Sequence, residues 1–144
     1  MKTSARNKLT GAVTQITRGS VNDEVVVLLD GSSTRLVSII TSTSTKTLGL
    51  EVGSKVVALF KAPWVILMTD TEGVTFSARN QLPGTVVSVT EGAVNATVRV
   101  RLDGGEVVTA VVTMESVKDL GLEAGKPVIA MVKASNVILG AIKG

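Results

Sequence analysis

The fold of this chain is decided by an alternating stretch in its second half, Val94-Asn95-Ala96-Thr97-Val98-Arg99-Val100-Arg101-Leu102-Asp103. Apolar and polar residues take turns along it, which is the period of a strand with one face against a core and the other in water. The equivalent stretch in the first half, residues 25–29, is apolar on both faces. We expect that strand either to be covered on both sides or to meet a partner chain.

The two halves of the sequence are copies of each other. Residues 4–31 match residues 77–104 at 16 of 28 positions, and residues 36–67 align with residues 108–139. Self-similarity of this kind indicates a tandem duplication. It predicts a first domain at 1–68, a linker at 69–76 and a second domain at 77–144.

Each copy shows the pattern of five short strands and one short helix. The helix is predicted at Met114 to Leu120 with Gly121 at its end, and at 42–49 in the first copy, where helix propensity is poor. Asp-Gly pairs mark hairpin turns. Further strands are predicted at 9–17, 35–41, 55–61 and 64–68, and at 82–90, 106–113, 127–133 and 137–139. The sequence therefore predicts an all-β fold of two tandem OB-like small β-barrels, each with one short helix.

Composition excludes several classes of protein. The 144 residues include no Cys and no His, so we predict no catalytic residues and no direct metal ligands. One Trp and two Phe are too few to stack the bases of a bound nucleic acid. No apolar run follows Met1-Lys2 and none is long enough to span a membrane, so we expect a cytoplasmic protein.

The size of each copy favours self-association. Domains of about 60 residues bury only about 60% of their unfolded surface, yet the chain is 44% apolar with a mean hydropathy of +0.41. Apolar sheet faces shared between chains would resolve this mismatch. We therefore expect a homo-oligomer with closed symmetry, for which a dimer or a trimer would serve.

Four polar segments recur in both copies, and they are rich in hydrogen-bond donors. A cluster of donors favours a fully ionised oxyanion and disfavours hydrogen phosphate, whose proton needs an acceptor. The net charge of +3 also suits a small anion. The segments are Ser4-Ala5-Arg6-Asn7 and Ser77-Ala78-Arg79-Asn80, Gly19-Ser20-Val21-Asn22 and Gly92-Ala93-Val94-Asn95, Lys61-Ala62 and Lys133-Ala134, and finally Lys46 and Lys118.

Each segment also has a purely structural interpretation. Gly and Asn dominate ordinary turns for conformational reasons. Lysines at strand ends usually stay in water and prevent sheets from joining edge to edge. The arginines could form surface ion pairs, which contribute little to stability.

Taken together, the segments resemble the Mop-domain, or molbindin, family of molybdate- and tungstate-binding proteins. The resemblance covers nearly all of the second copy and, more loosely, the first. The motifs that carry it are the second Ser-Ala-Arg-Asn with Leu82-Pro83-Gly84-Thr85-Val86, Gly92 to Asn95, residues 113–122 and Lys133-Ala134-Ser135-Asn136-Val137-Ile138-Leu139.

The resemblance implies Mop/TOBE-like barrels, a homotrimer, and molybdate or tungstate bound between neighbouring modules. Sites of one kind would use the Ser-Ala-Arg-Asn segment of one module and the Lys-Ala-Ser segment of another, and those of the other kind the Gly-Ser/Ala-Val-Asn turn near the oligomer axis. The implied oxyanion-binding residues are Ser4, Ala5, Arg6, Asn7, Lys61, Ala62, Ser77, Ala78, Arg79, Asn80, Lys133, Ala134 and Ser135 for the first kind, and Ser20, Val21, Asn22, Ala93, Val94 and Asn95 for the second.

The copies differ at positions that bear on these sites. Pro63-Trp64 replaces Ser135-Asn136, which removes a hydroxyl and a backbone N–H from the first copy. Thr43 and Thr47 replace Glu115 and Asp119, which removes two carboxylates from the first copy. Because Pro63-Trp64 lacks the hydroxyl and the N–H, we expect two classes of affinity, with fewer donors in sites that use Lys61.

The function implied is non-enzymatic binding, storage and homeostasis of molybdate, with tungstate as a close mimic. The alternative is a molybdate-sensing regulatory domain that docks on a transporter or a transcription factor. An OB-type nucleic-acid-binding module fits less well, because aromatic residues are scarce and the positive charge is dispersed.

Overall fold

The computed structural model describes residues 1–143, which form two compact units. Unit 1 consists of Met1–Phe60 together with residues 133–143, and unit 2 consists of Lys61–Val132. The elements, in chain order, are β1 (Asn7–Thr17), β2 (Asn22–Leu29), β3 (Arg35–Thr41), α1 (Ser42–Thr47), β4 (Lys55–Phe60), a first 3-10 turn (Ala62–Trp64), β5 (Ile66–Met68), β6 (Asn80–Glu91), β7 (Asn95–Leu102), β8 (Val107–Thr113), α2 (Met114–Leu120), β9 (Pro127–Val132), a second 3-10 turn (Ala134–Asn136) and β10 (Ile138–Ala141).

Unit 1 is a five-stranded antiparallel sheet in the order β10-β4-β1-β2-β3. Its core comes from the alternation within each strand: Val25, Val27 and Leu29 of β2 are buried, while Val26 and Leu28 between them are partly exposed. The edge strands β10 and β3 contact each other. The sheet therefore curls until its two edge strands meet, and the core lies inside the curl.

Unit 2 repeats this arrangement in the order β5-β9-β6-β7-β8. In β7, Ala96, Val98, Val100 and Leu102 are buried and the arginines between them are exposed, as the alternating stretch predicts. The prediction of an all-β fold with one short helix in each copy is confirmed.

The fifth strand of each sheet comes from the other sequence repeat. β10, at the end of the second repeat, pairs with β4, and β5, at the end of the first, pairs with β9. The Ser38 hydroxyl donates a buried hydrogen bond of 2.7 Å to the Val137 carbonyl, which fixes the exchanged segment in unit 1. The compact units therefore do not coincide with the repeats, and the division into domains at 1–68 and 77–144, with a linker at 69–76, stays a prediction.

Both helices begin at a threonine cap. The Thr113 hydroxyl accepts from the Ser116 N–H at 3.0 Å, and α2 ends at Gly121, whose φ of 62° is the left-handed conformation that favours glycine. In α1, Thr41 accepts from the Ser44 N–H at the same distance. The cap explains how a segment of poor propensity still forms the predicted helix.

One predicted strand starts later than its pattern indicates. Residues 62–64 form a 3-10 turn and β5 begins only at Ile66. Pro63 lies in the first positions of this turn, and the Trp64 N–H bonds to the Lys61 carbonyl at 3.0 Å. Proline has a fixed φ and no backbone N–H to donate, so it suits a turn better than the interior of a strand. Across residues 1–143, no helix has the length and apolar character needed to cross a membrane.

Candidate functional site

The two Ser-Ala-Arg-Asn segments lead into the first strand of each sheet. Their burial is the same in both copies: the serines and arginines are exposed, the alanines partly exposed, and Asn7 and Asn80 only 2% and 1% exposed. Asn7 pairs with Phe60 across β1 and β4, and Asn80 pairs with Val132 across β6 and β9. The strand partner of each asparagine is thus the residue directly before Lys61 or Lys133. The remaining members of the segments are Ser4, Ala5, Arg6, Ser77, Ala78 and Arg79.

The two lysines each directly precede a 3-10 turn. Both side chains are exposed, whereas the alanines that follow, Ala62 and Ala134, are buried. The Lys61 Nζ lies 5.8 Å from the centroid of the Trp64 ring, which is cation–π distance. The corresponding residue after Lys133 is Asn136, so Lys133 lacks an aromatic ring at that position. The two ammonium groups therefore start from different surroundings.

The turns at 19–22 and 92–95 are exposed, and they have the same backbone anchor. The Val21 carbonyl accepts from the Ser42 N–H, and the Val94 carbonyl accepts from the Met114 N–H, both at 2.8 Å. A Cβ on Gly92 would lie 2.6 Å from the Asn95 carbonyl oxygen, so only glycine fits there. The other predicted residues of these turns, Ser20, Asn22 and Ala93, are exposed.

An open groove of about 560 Å³ in unit 1 unites two predicted segments, because Asn22 and Ser135 both line it. Its polar lining consists of hydroxyls and one amide. The groove includes neither residues 4–7 nor Lys133 among its described residues. The full lining is Asn22, Ile39, Ile40, Thr41, Thr43, Ser44, Thr47, Leu48, Ser135, Val137, Ile138 and Leu139.

Because the fifth strand is exchanged, residues that differ between the two copies are combined within one unit. Thr43 and Thr47 of the first repeat and Ser135 of the second line the groove of unit 1 together. In unit 2 the corresponding positions hold Glu115, Asp119 and Pro63. Unit 1 therefore combines the hydroxyls of both repeats, whereas unit 2 receives the two carboxylates and the proline.

Sequence reasoning missed a buried carboxylate beside the first turn. Asp23 is 2% exposed, and its Oδ1 accepts from the Gly19 N–H at 3.0 Å and from the Ser42 hydroxyl at 2.8 Å. Hydrogen bonds from Thr45, Ser42 and the Gly19 N–H hold the pKa of Asp23 below its ordinary value, although burial opposes them. The Arg18 guanidinium, 3.9 Å away, also lowers this pKa. The available signal was an aspartate at an inward-facing strand position where the second copy has Ala96.

The chemistry of the predicted segments is that of donors. Arg and Lys side chains and backbone N–H groups can only donate, and Ser and Asn side chains can donate as well as accept. Within residues 1–143, no group of three or more His, Cys, Asp and Glu side chains could hold a metal ion. The arrangement suits an anion that accepts several charge-assisted hydrogen bonds.

Comparison with known proteins gives the same picture for both copies. The family model of the TOBE domain matches residues 3–67 and 77–139. The molybdenum transport protein ModE of Herbaspirillum seropedicae is 40% identical over 139 residues, which is 96% of this chain and 51% of ModE. The molybdenum-pterin-binding protein MopA of Rhodobacter capsulatus is 43% identical over 140 residues, 96% of this chain and 52% of MopA. The chain thus spans about half the length of these two relatives.

The solved structures include a match along the whole chain. A structure of the cytoplasmic molybdate-binding protein ModG, with molybdate bound, has a TM-score of 0.94 and 49% sequence identity, and the match covers 99% of this chain and 100% of ModG. The tandem OB-like architecture and the resemblance to Mop-domain proteins are confirmed. The chain therefore belongs to the TOBE-domain family, as a tandem member of the Mop type.

Proposed function

We propose that this protein binds molybdate, and tungstate as its mimic, as a storage and buffering protein of the cytoplasm with no enzymatic activity. The observation that carries the proposal is the similarity to molybdate-bound ModG along nearly the whole chain, at 49% identity. The donor-rich segments support it, because they occur in both copies and have the same burial in each. ModG is a cytoplasmic protein, which supports the cytoplasm as the compartment of this protein.

In this proposal the protein is a homotrimer, and the sites lie between its modules. Exposed Arg6 and Arg79 supply charge, and the exposed lysines after β4 and β9 supply more. Exposed apolar residues support association: Ile66 and Ile138 are 54% and 55% exposed on edge strands. Contiguous exposed apolar patches are typical of surfaces that a partner covers, so our proposal includes an interface at these edge strands.

Selection among oxyanions would rest on two different properties. Donors exclude an anion that carries a proton at neutral pH, which disfavours hydrogen phosphate. Sulfate is also an unprotonated dianion, so its exclusion would depend on the size of the cavity, because the Mo–O tetrahedron is larger. Low local dielectric in clefts between modules would strengthen each contact.

The test is native mass spectrometry combined with isothermal titration calorimetry of the pure protein at neutral pH. We expect molybdate and tungstate to bind in a fixed number per oligomer, and sulfate and phosphate to bind at least tenfold more weakly. Retention of neither molybdenum nor tungsten, or a monomer at all concentrations, contradicts the proposal.

The second candidate function is a molybdate-sensing domain that docks on a transporter or a transcription factor. The observation in its favour is the relative ModE, a molybdenum transport protein about twice as long as the matched segment. A partner captured in stoichiometric amount only in the presence of molybdate would favour docking over storage. Salt-sensitive binding to oligonucleotides would instead favour a nucleic-acid module.

A further inference from the structure

The turn at 19–22 already holds a negative charge of the protein's own. The Asp23 carboxylate is 2% exposed and accepts from the Gly19 N–H at 3.0 Å and from the Ser42 hydroxyl at 2.8 Å. Thr45 adds a further hydrogen bond. A carboxylate held by several donors occupies the same kind of environment as a bound oxyanion. The only described ion-pair partner, Arg18, is 60% exposed at 3.9 Å, so water screens much of its compensating charge.

The turn at 92–95 lacks this charge. The positions of Asp23, Ser42 and Thr45 are taken in the second copy by apolar residues, Ala96, Met114 and Val117. There the Gly92 N–H donates to the Asn95 carbonyl at 2.9 Å and not to a carboxylate. The backbone anchor between turn and helix is the same in both copies, at 2.8 Å. The anchor of each turn to the following helix is therefore the same, and Asp23 is a buried negative charge that the first turn alone has, while the exposed Glu91 stands where the first copy has Arg18.

We propose that Asp23 is an internal anion that closes the turn at 19–22 to a dianion, so that the turn at 92–95 is the one of the pair that binds molybdate. This inference rests on the proposed function. A doubly charged ligand at the first turn would approach a carboxylate that the same turn binds, and the two like charges would repel each other. Asp23 thus determines specificity by charge and does not contact the ligand.

The experiment replaces Asp23 by the residue of the second copy and counts bound anions. Asp23→Ala is made alone and together with Ser42→Met and Thr45→Val, because the triple change transplants the packing of the second copy and keeps the test valid if the single variant unfolds. Native mass spectrometry should show more molybdate per oligomer than in the unchanged protein. Calorimetry should show that the first turn of the variants binds molybdate with a Kd at least tenfold lower than the first turn of the unchanged protein.

The reverse transfer provides the matched control. Ala96→Asp, made with Met114→Ser and Val117→Thr, should lower the number of molybdates bound per oligomer. A second arm uses perrhenate, a tetrahedral oxyanion with a single negative charge, as the probe. Removing Asp23 should improve molybdate binding more than perrhenate binding, since repulsion scales with ligand charge. A purely structural role for Asp23 would change both by the same factor.

The outcomes separate the two proposals. If the unchanged protein binds molybdate, and the Asp23 variants bind the same number per oligomer or gain equally for molybdate and perrhenate, this inference is wrong and the proposed function stands. If neither the unchanged protein nor any variant retains molybdate, the proposed function fails and the inference fails with it.

Discussion

Replacement of the two proposed anion-binding lysines should have unequal effects, with Lys133→Ala weakening molybdate binding more than Lys61→Ala. Lys133 is exposed and follows β9 with Asn136, not an aromatic ring, at the third position after it. A hydrogen bond to a charged group contributes about 1.5–3 kcal/mol. Loss of the ammonium group should therefore raise the Kd by roughly ten- to 150-fold at the sites that use it.

The expected effect of Lys61→Ala on the Kd is smaller because, in the free protein, the Lys61 ammonium group already contacts an aromatic ring. The Lys61 Nζ lies 5.8 Å from the Trp64 ring centroid, and a cation–π contact at an exposed site contributes about 0.5–1 kcal/mol. An anion must compete with the ring, so the net contribution of Lys61 falls by about that amount, or roughly two- to fivefold in Kd. Pro63, in place of Ser135, also removes a hydroxyl and an N–H from this segment.

The assay is calorimetric titration of both variants with molybdate, with Lys143→Ala as the control because this exposed lysine lies outside all predicted segments. Thermal unfolding of each variant in the absence of ligand verifies that only binding has changed. Equal losses for the two variants, or a larger loss for Lys61→Ala, would refute the reasoning.

The remaining predictions concern stability and turn geometry. Ser38→Ala should lower the free energy of unfolding by about 1–3 kcal/mol in urea titrations, because it leaves the buried Val137 carbonyl without its donor at 2.7 Å. The second copy has Ala110 at the equivalent position, so a methyl group fits this fold. An unchanged stability would mean that the hydrogen bond contributes nothing. The folded pKa of Asp23 lies below its unfolded value of about 4. Its contribution to stability is therefore present above pH 4 and lost as the pH falls through the folded pKa, so urea titrations should show the stability difference between the unchanged protein and Asp23→Ala shrinking below pH 4; a difference independent of pH would contradict this. Gly92→Ala should weaken molybdate binding by at least tenfold in calorimetry, because a Cβ would lie 2.6 Å from the Asn95 carbonyl and deform the turn; an unchanged Kd would exclude this turn from the site.

Much of the proposed site could be predicted from the sequence because its parts are local. The Ser-Ala-Arg-Asn segments and the Lys-Ala pairs stand at the ends of strands that alternation already reveals. The buried carboxylate at Asp23 could not be predicted with equal ease. Its hydrogen-bond donors include Ser42 and Thr45, which lie in a segment of poor helix propensity and reach Asp23 only after α1 has folded against β2.

The strands, the helix Met114–Leu120 and the glycine turns can be predicted from local sequence, because side-chain period, helix capping and positive φ are properties of a few neighbouring residues. The sheet that β5 joins and the sheet that β10 joins are known from the three-dimensional structure and not from local sequence. Both segments share the Val-Ile-Leu pattern, and β4 and β9 offer similar apolar edges, Lys55–Phe60 and Pro127–Val132. Main-chain hydrogen bonds at a sheet edge accept any extended segment, so local sequence favours neither pairing. The observed pairing is accompanied by long-range contacts, such as the hydrogen bond from Ser38 to Val137, and it brings Ser135 together with Thr43 and Thr47.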